Sequence, residues 1–423
     1  MATDGWTEWP FDEVIDFQEG PGILAKDFKD EGVPLVRLAG LDRGASVLAG
    51  CNYLDPAAVK KRWAHFALAE GDILLSTSAS LGRTAVVGPE AVGAVPYTGI
   101  IRMRPRDERL YAPFIRYLLE GPDFQSQAEM VGVGSVIRHF GPMHLRQMTV
   151  RLPTPPEQRA IVAILSGFDQ KVELNQRMSA VAESLCMSLF VSWFIDFEPV
   201  RDNAAGASTP LGARFPSELV ESESGPMPLG WSVSTVGKEF RLTMGQSPPG
   251  TTYNEDGDGV VFYQGRADFG FRFPGRRVFC TAPTRFAEAG DTLITVRAPV
   301  GDINMATETC CIGRGVAAAR HASGASSYTY YFMRSLRETF RRFEAEGTVF
   351  GAINKKDFEN LRRVMPPPAL VSEFERLASP LDARLLNNHH QNMTLSRLRD
   401  ALLVALMSGH VSVGAAERFV ESV

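Results

Sequence analysis

The residues with most chemical promise in this sequence are hydroxyl and basic side chains set beside glycine, not catalytic sets. Residues 132–139 hold Gly132, Gly134, Ser135, Arg138 and His139, and a matching stretch from Gly347 holds Thr348, Asn354 and Lys355. Glycine lets backbone approach a ligand closely, while hydroxyls and cations next to it suit phosphates and base edges. Lys60-Lys61-Arg62, Arg276-Arg277, Arg341-Arg342 and Arg362-Arg363 add cations, although a run of charge is more often a solvated face. Groups for breaking bonds are missing: the chain has no GxxxxGK[ST] loop, no HExxH and no GxSxG elbow. A flipped base needs an aromatic to stack on, yet Pro248-Pro249 is followed by Gly250 and Pro155-Pro156 by Glu157. Neighbouring His389 and His390 point apart on a helix and do not chelate one ion. The five cysteines (Cys51, Cys186, Cys280, Cys310, Cys311) form no CxxC pair and read as reduced thiols, so no metal is expected.

These residues need a scaffold. At 423 residues the chain should hold two to four compact units, and 44% hydrophobic against 22% charged residues excludes disorder as its main state. The formal charge is -5, unevenly spread: residues 1–155 carry -3, residues 156–225 carry -5 and residues 226–368 carry +4. Exposed charges more than about 10 Å apart are largely screened, so net acidity does not exclude DNA. The longest apolar run, residues 185–195, falls short of the roughly 20 residues a membrane span needs. The start Met1-Ala2-Thr3-Asp4 does not read as a signal peptide, so a soluble cytoplasmic protein is expected.

Self-similarity decides the architecture. Gly71-Asp72-Ile73-Leu74-Leu75-Ser76-Thr77 returns in the second half of the chain as Gly290-Asp291-Thr292-Leu293-Ile294-Thr295-Val296. Gly134-Ser135-Val136 and Leu152-Pro153-Thr154-Pro155 return there as Gly347-Thr348-Val349 and Met365-Pro366-Pro367-Pro368, both at one and the same offset. After each proline segment a helical pattern begins, over residues 157–195 and 369–408. The first carries Ile161, Phe168, Val172 and Leu189 at seam spacing, matched at that same offset by Phe374, Leu381, Leu385 and Leu402. Such a helix is about 58 Å long and needs a partner for its stripe; the other copy is expected to supply it, antiparallel. Each seam is interrupted by an asparagine, Asn175 and Asn388. Near the middle of an antiparallel pair they are expected to face each other and fix register, with solvation on the helix edge as the competing reading.

The expected fold class is α+β, with two globular domains in tandem, each followed by a long helix, and the two helices pairing as an antiparallel coiled coil. The boundaries are 1–155 (first domain), 156–198 (first helix), 199–225 (linker, by its Ala, Gly and acidic composition), 226–368 (second domain), 369–410 (second helix) and 411–423 (tail).

This order of duplicated parts resembles the specificity subunit of type I restriction-modification systems. Local matches are GDILLSTSASLGRTAVV (71–87), LPTPPEQRA (152–160), FDQKVELNQRM (168–178), SWFIDFEPV (192–200) and GPMPLGW (225–231). The resemblance covers nearly the whole chain, while residues 387–391 depart from it and residues 411–423 have no counterpart. It implies a non-catalytic subunit whose two target recognition domains each read one half of a split duplex-DNA target, with the helices setting the gap. It also implies two methyltransferase and two motor-nuclease subunits as partners, with S-adenosylmethionine, ATP and magnesium bound by them and no cofactor bound by this chain. Under it the DNA-binding candidates are Thr77, Ser78, Ser80, Arg83, Ser135 and Arg138 in the first domain, and Gln246, Ser247, Arg266, Arg297, Asn304, Thr348 and Lys355 in the second. Gly71, Asp72, Gly290 and Asp291 are assigned to turns. The rival readings are a stand-alone methyltransferase or nuclease with drifted motifs, and a coiled-coil scaffold that binds only proteins.

Overall fold

The computed structural model describes residues 5–41, 46–78, 82–131, 140–207, 209–223, 225–345 and 351–422. It divides into two units, one formed by residues 1–176 with 391–423 and the other by residues 177–390. Each therefore combines a globular domain with half of each long helix, Pro155–Phe194 and Pro368–Met407.

In the first unit, β1 (Thr7–Pro10) pairs antiparallel with β10 (Thr149–Leu152), tying the chain start to the strand that leads into the first long helix. One sheet has the order β2 (Ile15–Glu19), β9 (Ile100–Pro105), β6 (Ile73–Ser76), β7 (Thr84–Val86). A second has the order β3 (Phe28–Lys29), β5 (Asn52–Leu54), β4 (Val33–Val36), β8 (Val95–Pro96), with β4 and β8 parallel. Ile73 and Leu75 on β6 and Ile101 and Met103 on β9 face one core with the helix Phe114–Glu120, as the alternation of side chains along a strand requires. That core takes in Ile161, Val162, Ile164 and Leu165 of the first long helix and Leu403, Leu406 and Met407 of the second, with Phe168 and Leu402 half-buried against it.

The second unit repeats this plan. After the hairpin β11 (Leu219–Ser222) and β12 (Gly225–Pro228), β13 (Ser232–Thr235) pairs with β23 (Arg362–Met365). One sheet has the order β14 (Phe240–Met244), β22 (Val316–His321), β19 (Thr292–Thr295), β20 (Ile303–Met305). The other contains β15 (Tyr253–Asn254), β17 (Phe279–Cys280), β16 (Val260–Tyr263), β21 (Cys310–Ile312) and β18 (Phe286–Ala287). Cys186, Phe190, Trp193 and Phe194 share a core with Leu370, Phe374 and Leu385, and Leu189 and Leu381 are half-buried against it.

Within each unit the helices run antiparallel. In the first, the end of Pro155–Phe194 near Ile161 meets Leu406, while Asn175 meets Gln391 and Asn392. In the second, Ser179 meets Asn388 and Phe190 packs edge-on against Phe374 at 5.5 Å between ring centroids. Asn175 and Asn388 are buried, not on a solvated edge. The expected pairing of one with the other runs between the two units. Inside its own unit the Asn175 amide donates to Gln391 Oε1 (3.2 Å) and Asn392 Oδ1 (2.9 Å), and that of Asn388 to Ser179 Oγ (3.2 Å). Val172 is half-buried at the same seam.

Each globular domain is also held to its helices by a carboxylate, half-buried in the first unit and buried in the second. Asp169 accepts from Tyr117 Oη (3.0 Å) and pairs with Arg116 (3.1 Å) and Arg399 (3.3 Å). Its counterpart Asp382 accepts from Tyr331 Oη (3.0 Å) and pairs with Arg272 (2.8 Å), which also reaches Glu183 and lies 3.3 Å over the Tyr330 ring.

Two segments differ from expectation. The supposed linker contains the helix Glu198–Ala204 and the β11–β12 hairpin, because Phe197, Val200 and Phe215 bury in the second unit's core. The supposed tail forms the helix Val413–Ser422, whose Val413 and Ala416 join the first unit's core. Among the described residues no single helix is long and apolar enough to cross a membrane.

Replacing Arg272 by Ala would strand Asp382 without its buried cation and leave Glu183 to Arg334. The expected cost is about 3–5 kcal/mol, since removing one partner of a buried pair leaves the other charge uncompensated. Urea unfolding of the full chain measures it; Arg399→Ala in the first unit should cost less, because Arg116 still pairs with Asp169 and Glu120.

Candidate nucleic-acid interface

The candidate surface is a node where four chain segments meet, built the same way in each unit. In the first, β2 ends at Gly20, whose N–H donates to Ile100 O (2.9 Å). Tyr97 N–H, following β8, donates to Val36 O at the end of β4 (3.1 Å), and Thr77 N–H, following β6, donates to Gly99 O (2.9 Å). In the second, Gly245 N–H donates to Val316 O (2.9 Å), Gly313 N–H to Tyr263 O (2.8 Å) and Val296 N–H to Gly315 O (2.9 Å). The hydrogen bonds correspond one for one, so the same sheet ends converge in both domains.

Glycine makes this convergence sterically allowed. A Cβ on Gly20 would lie 2.3 Å from Pro96 O, and one on Gly245 would lie 2.1 Å from Gly313 O. No side chain fits between backbones that close.

The hairpin beside the node is duplicated too. Ser76 Oγ accepts from Arg83 N–H and Thr295 Oγ1 from Asp302 N–H, both at 2.9 Å. Its base is fixed by Asp72, which accepts from Ala69 N–H and pairs with Arg104 at 2.5 Å, and by Asp291, which accepts from Glu288 N–H and pairs with Arg320 at 2.5 Å. The hydrogen bond to Asp72 holds the Arg104 guanidinium above its usual pKa. These aspartates organise turns, as assigned from sequence.

The backbone equivalence pairs positions leaving the strand ends. Arg37 corresponds to Gln264, Ser78 to Arg297 and Thr98 to Arg314, while Pro21 corresponds to Gln246. Gln246, Gln264, Arg297, Arg314 and Thr98 are exposed, and Arg37 and Ser78 are half-buried. The Arg37 guanidinium lies 4.1 Å from the Tyr97 ring centroid, a cation–π contact that orients its plane.

Three sequence-predicted residues, Gln246, Ser247 and Arg297, gather here, and Ser247 Oγ accepts from Arg314 N–H (3.2 Å). Ser78 occupies the corresponding place in the first unit, with Arg83 at the far end of its hairpin. Lys355 follows residues 351–353, which pair with residues 296–298, and itself lies 3.5 Å from Glu359. Arg266 is exposed but paired with Asp302 at 2.9 Å. Two candidates are corrected. Thr77 is fully buried, and Asn304 is 1% exposed with its amide bonded to Gly270 N–H, Gly270 O and Ile303 O, so neither presents a face to a ligand. Ser80, Ser135, Arg138 and Thr348 lie outside the described residues. Sequence reasoning missed Arg37, Thr98, Gln264 and Arg314. A signal existed in Gly313-Arg314-Gly315, an arginine between two glycines, which a search for basic doublets passes over. Cys310 is not a nucleophile, since burial pushes its thiol up to about 12.

A model of the type I restriction modification DNA specificity domain matches residues 3–184. The chain is 25% identical over 421 residues to the putative type I restriction enzyme MjaX specificity subunit of Methanocaldococcus jannaschii, across 96% of this chain and 94% of that one. It is 22% identical to that organism's type I restriction enzyme MjaIX specificity subunit, across 81% and 78%. The crystal structure of a type I restriction-modification S subunit from M. genitalium shares the fold, with a TM-score of 0.55 at 16% identity across 94% of this chain and 95% of that one. Along nearly its whole length the chain is thus similar to type I restriction-modification specificity subunits, and residues 3–184 match their DNA specificity domain.

Gly20→Ala should destabilise the protein by about 1–3 kcal/mol through overpacking. Gly22→Ala, just beyond it in the chain and with open space around its Cβ, should be nearly neutral. Thermal unfolding of the two variants makes the comparison.

Proposed function

We propose that this chain is the DNA specificity subunit of a type I restriction-modification complex, reading a bipartite duplex target with one half-site per globular domain. The observation that carries the reading is the duplication itself: two domains of one topology, each packed on its own half of the same two long helices. A DNA turn is about 34 Å and a 40-residue helix about 60 Å long, which suits a ruler between half-sites roughly one turn apart. The subunit is not itself an enzyme; it directs partner subunits to DNA. In this reading two methyltransferase subunits dock on the helices and two motor-nuclease subunits join for restriction. S-adenosylmethionine, ATP and magnesium serve those partners, and the assembly works in the cytoplasm.

The test is selection of binding sites from random duplexes by the full chain with its methyltransferase partners. The expected result is two short blocks separated by a spacer of fixed length and free sequence, with a mismatch in either block costing about 1–3 kcal/mol. A single contiguous block overturns the bipartite reading. The chain alone, incubated with DNA and labelled S-adenosylmethionine, should transfer no methyl group; transfer would restore the stand-alone enzyme.

A further inference from the structure

We propose that three equivalent positions in the two nodes read bases: Arg37, Ser78 and Thr98 for one half-site, and Gln264, Arg297 and Arg314 for the other. The inference rests on the DNA-reading function proposed above and adds which side chains carry it.

The backbone of the node is the same in both units while the side chains it presents are not. Positions 37 and 264 follow the carbonyls of Val36 and Tyr263, which accept equivalent hydrogen bonds. Positions 78 and 297 follow Thr77 and Val296, whose N–H groups donate to Gly99 O and Gly315 O, and positions 98 and 314 precede those two glycines. A frame conserved within one chain, with its outward residues changed at every one of the three places, is what recognition of two unlike half-sites requires. A structural role would keep residue type as it keeps the hydrogen bonds; the Asp72–Arg104 and Asp291–Arg320 pairs do so.

Charge pairing separates these arginines from their neighbours. Arg266, Arg276 and Arg277 are held by Asp302, Glu308 and Asp268. Arg297 and Arg314 are exposed and form no ion pair among the described residues. Their guanidinium forks are therefore open to an external acceptor, and the base edge suited to such a fork is guanine O6 with N7. Gln264 beside them suits adenine through N6 and N7, whereas Ser78 and Thr98 offer one hydroxyl each and Thr98 a methyl for thymine. Arg37, oriented by Tyr97, is the guanine reader of the first node. The half-site read by the second domain should thus contain more guanine contacts than the other.

The experiment compares the wild-type complex with complexes carrying Arg314→Ala, Arg314→Lys or Thr98→Ala in selection from random duplexes. Arg314→Ala should relax one base pair of one block, by roughly tenfold to hundredfold in discrimination, and leave the other block unchanged. Thr98→Ala should relax only the opposite block. Arg314→Lys keeps the charge and loses the fork, so it should show the same relaxed base while non-specific affinity persists; it also serves if the alanine variant fails to fold. An unchanged motif with uniformly weaker binding, or full rescue by Lys, would mark a phosphate contact and overturn the inference. A wild-type complex that selects no sequence would instead overturn the DNA-reading function itself.

Discussion

A carboxylate on each long helix, shielded from water at least in part, is the constraint on which the rest of this molecule depends. Asp169 and Asp382 occupy equivalent places in the two repeats, and each is gripped by a tyrosine hydroxyl from a helix of its globular domain and by an arginine. A charge taken out of water is tolerated only when its hydrogen bonds and counter-charge are supplied together. The domain must therefore sit on its helices in the one arrangement that supplies them. Apolar packing around Phe374 or Ile161 contributes more burial but is less directional.

The two units reach that arrangement with different parts. In the first, the buried arginine comes from the second long helix as Arg399, with Arg116 of the globular domain beside it; in the second it comes from a loop of the globular domain as Arg272. The first long helix carries Cys186 at the position equivalent to Arg399, a small apolar neighbour unable to supply charge. What is retained between the copies is thus the electrostatic requirement, not the residue that meets it. The nodes show the complementary case, in which backbone geometry is retained and the exposed side chains are free to differ. Strand ends crowded by glycine fix where those side chains emerge, and the hydrogen bonds of the node use backbone groups and leave residue type open.

Much of this was legible in the chain. The repeat, the α+β class and the two long helices follow from proline, glycine and heptad-like periodicity, because those signals act locally. Helices expected over residues 157–195 and 369–408 are found at Pro155–Phe194 and Pro368–Met407. Less legible were segments whose composition is ordinary for loops but whose few apolar residues find a core, such as Val200 and Phe215 in the supposed linker or Val413 and Ala416 in the supposed tail. Asn304, a DNA-binding candidate under the resemblance, instead closes a backbone gap at Gly270 with its amide.

By itself the sequence determined that one chain carries two copies of a domain and two matched rods, since duplication and periodicity are written in residue order. Only the tertiary structure decided which residues stand together at each node. Arg37 and Thr98, or Gln264 and Arg314, lie far apart in the chain and are brought to one surface by strand pairing. Pairing depends on contacts between distant segments, and no local pattern encodes those.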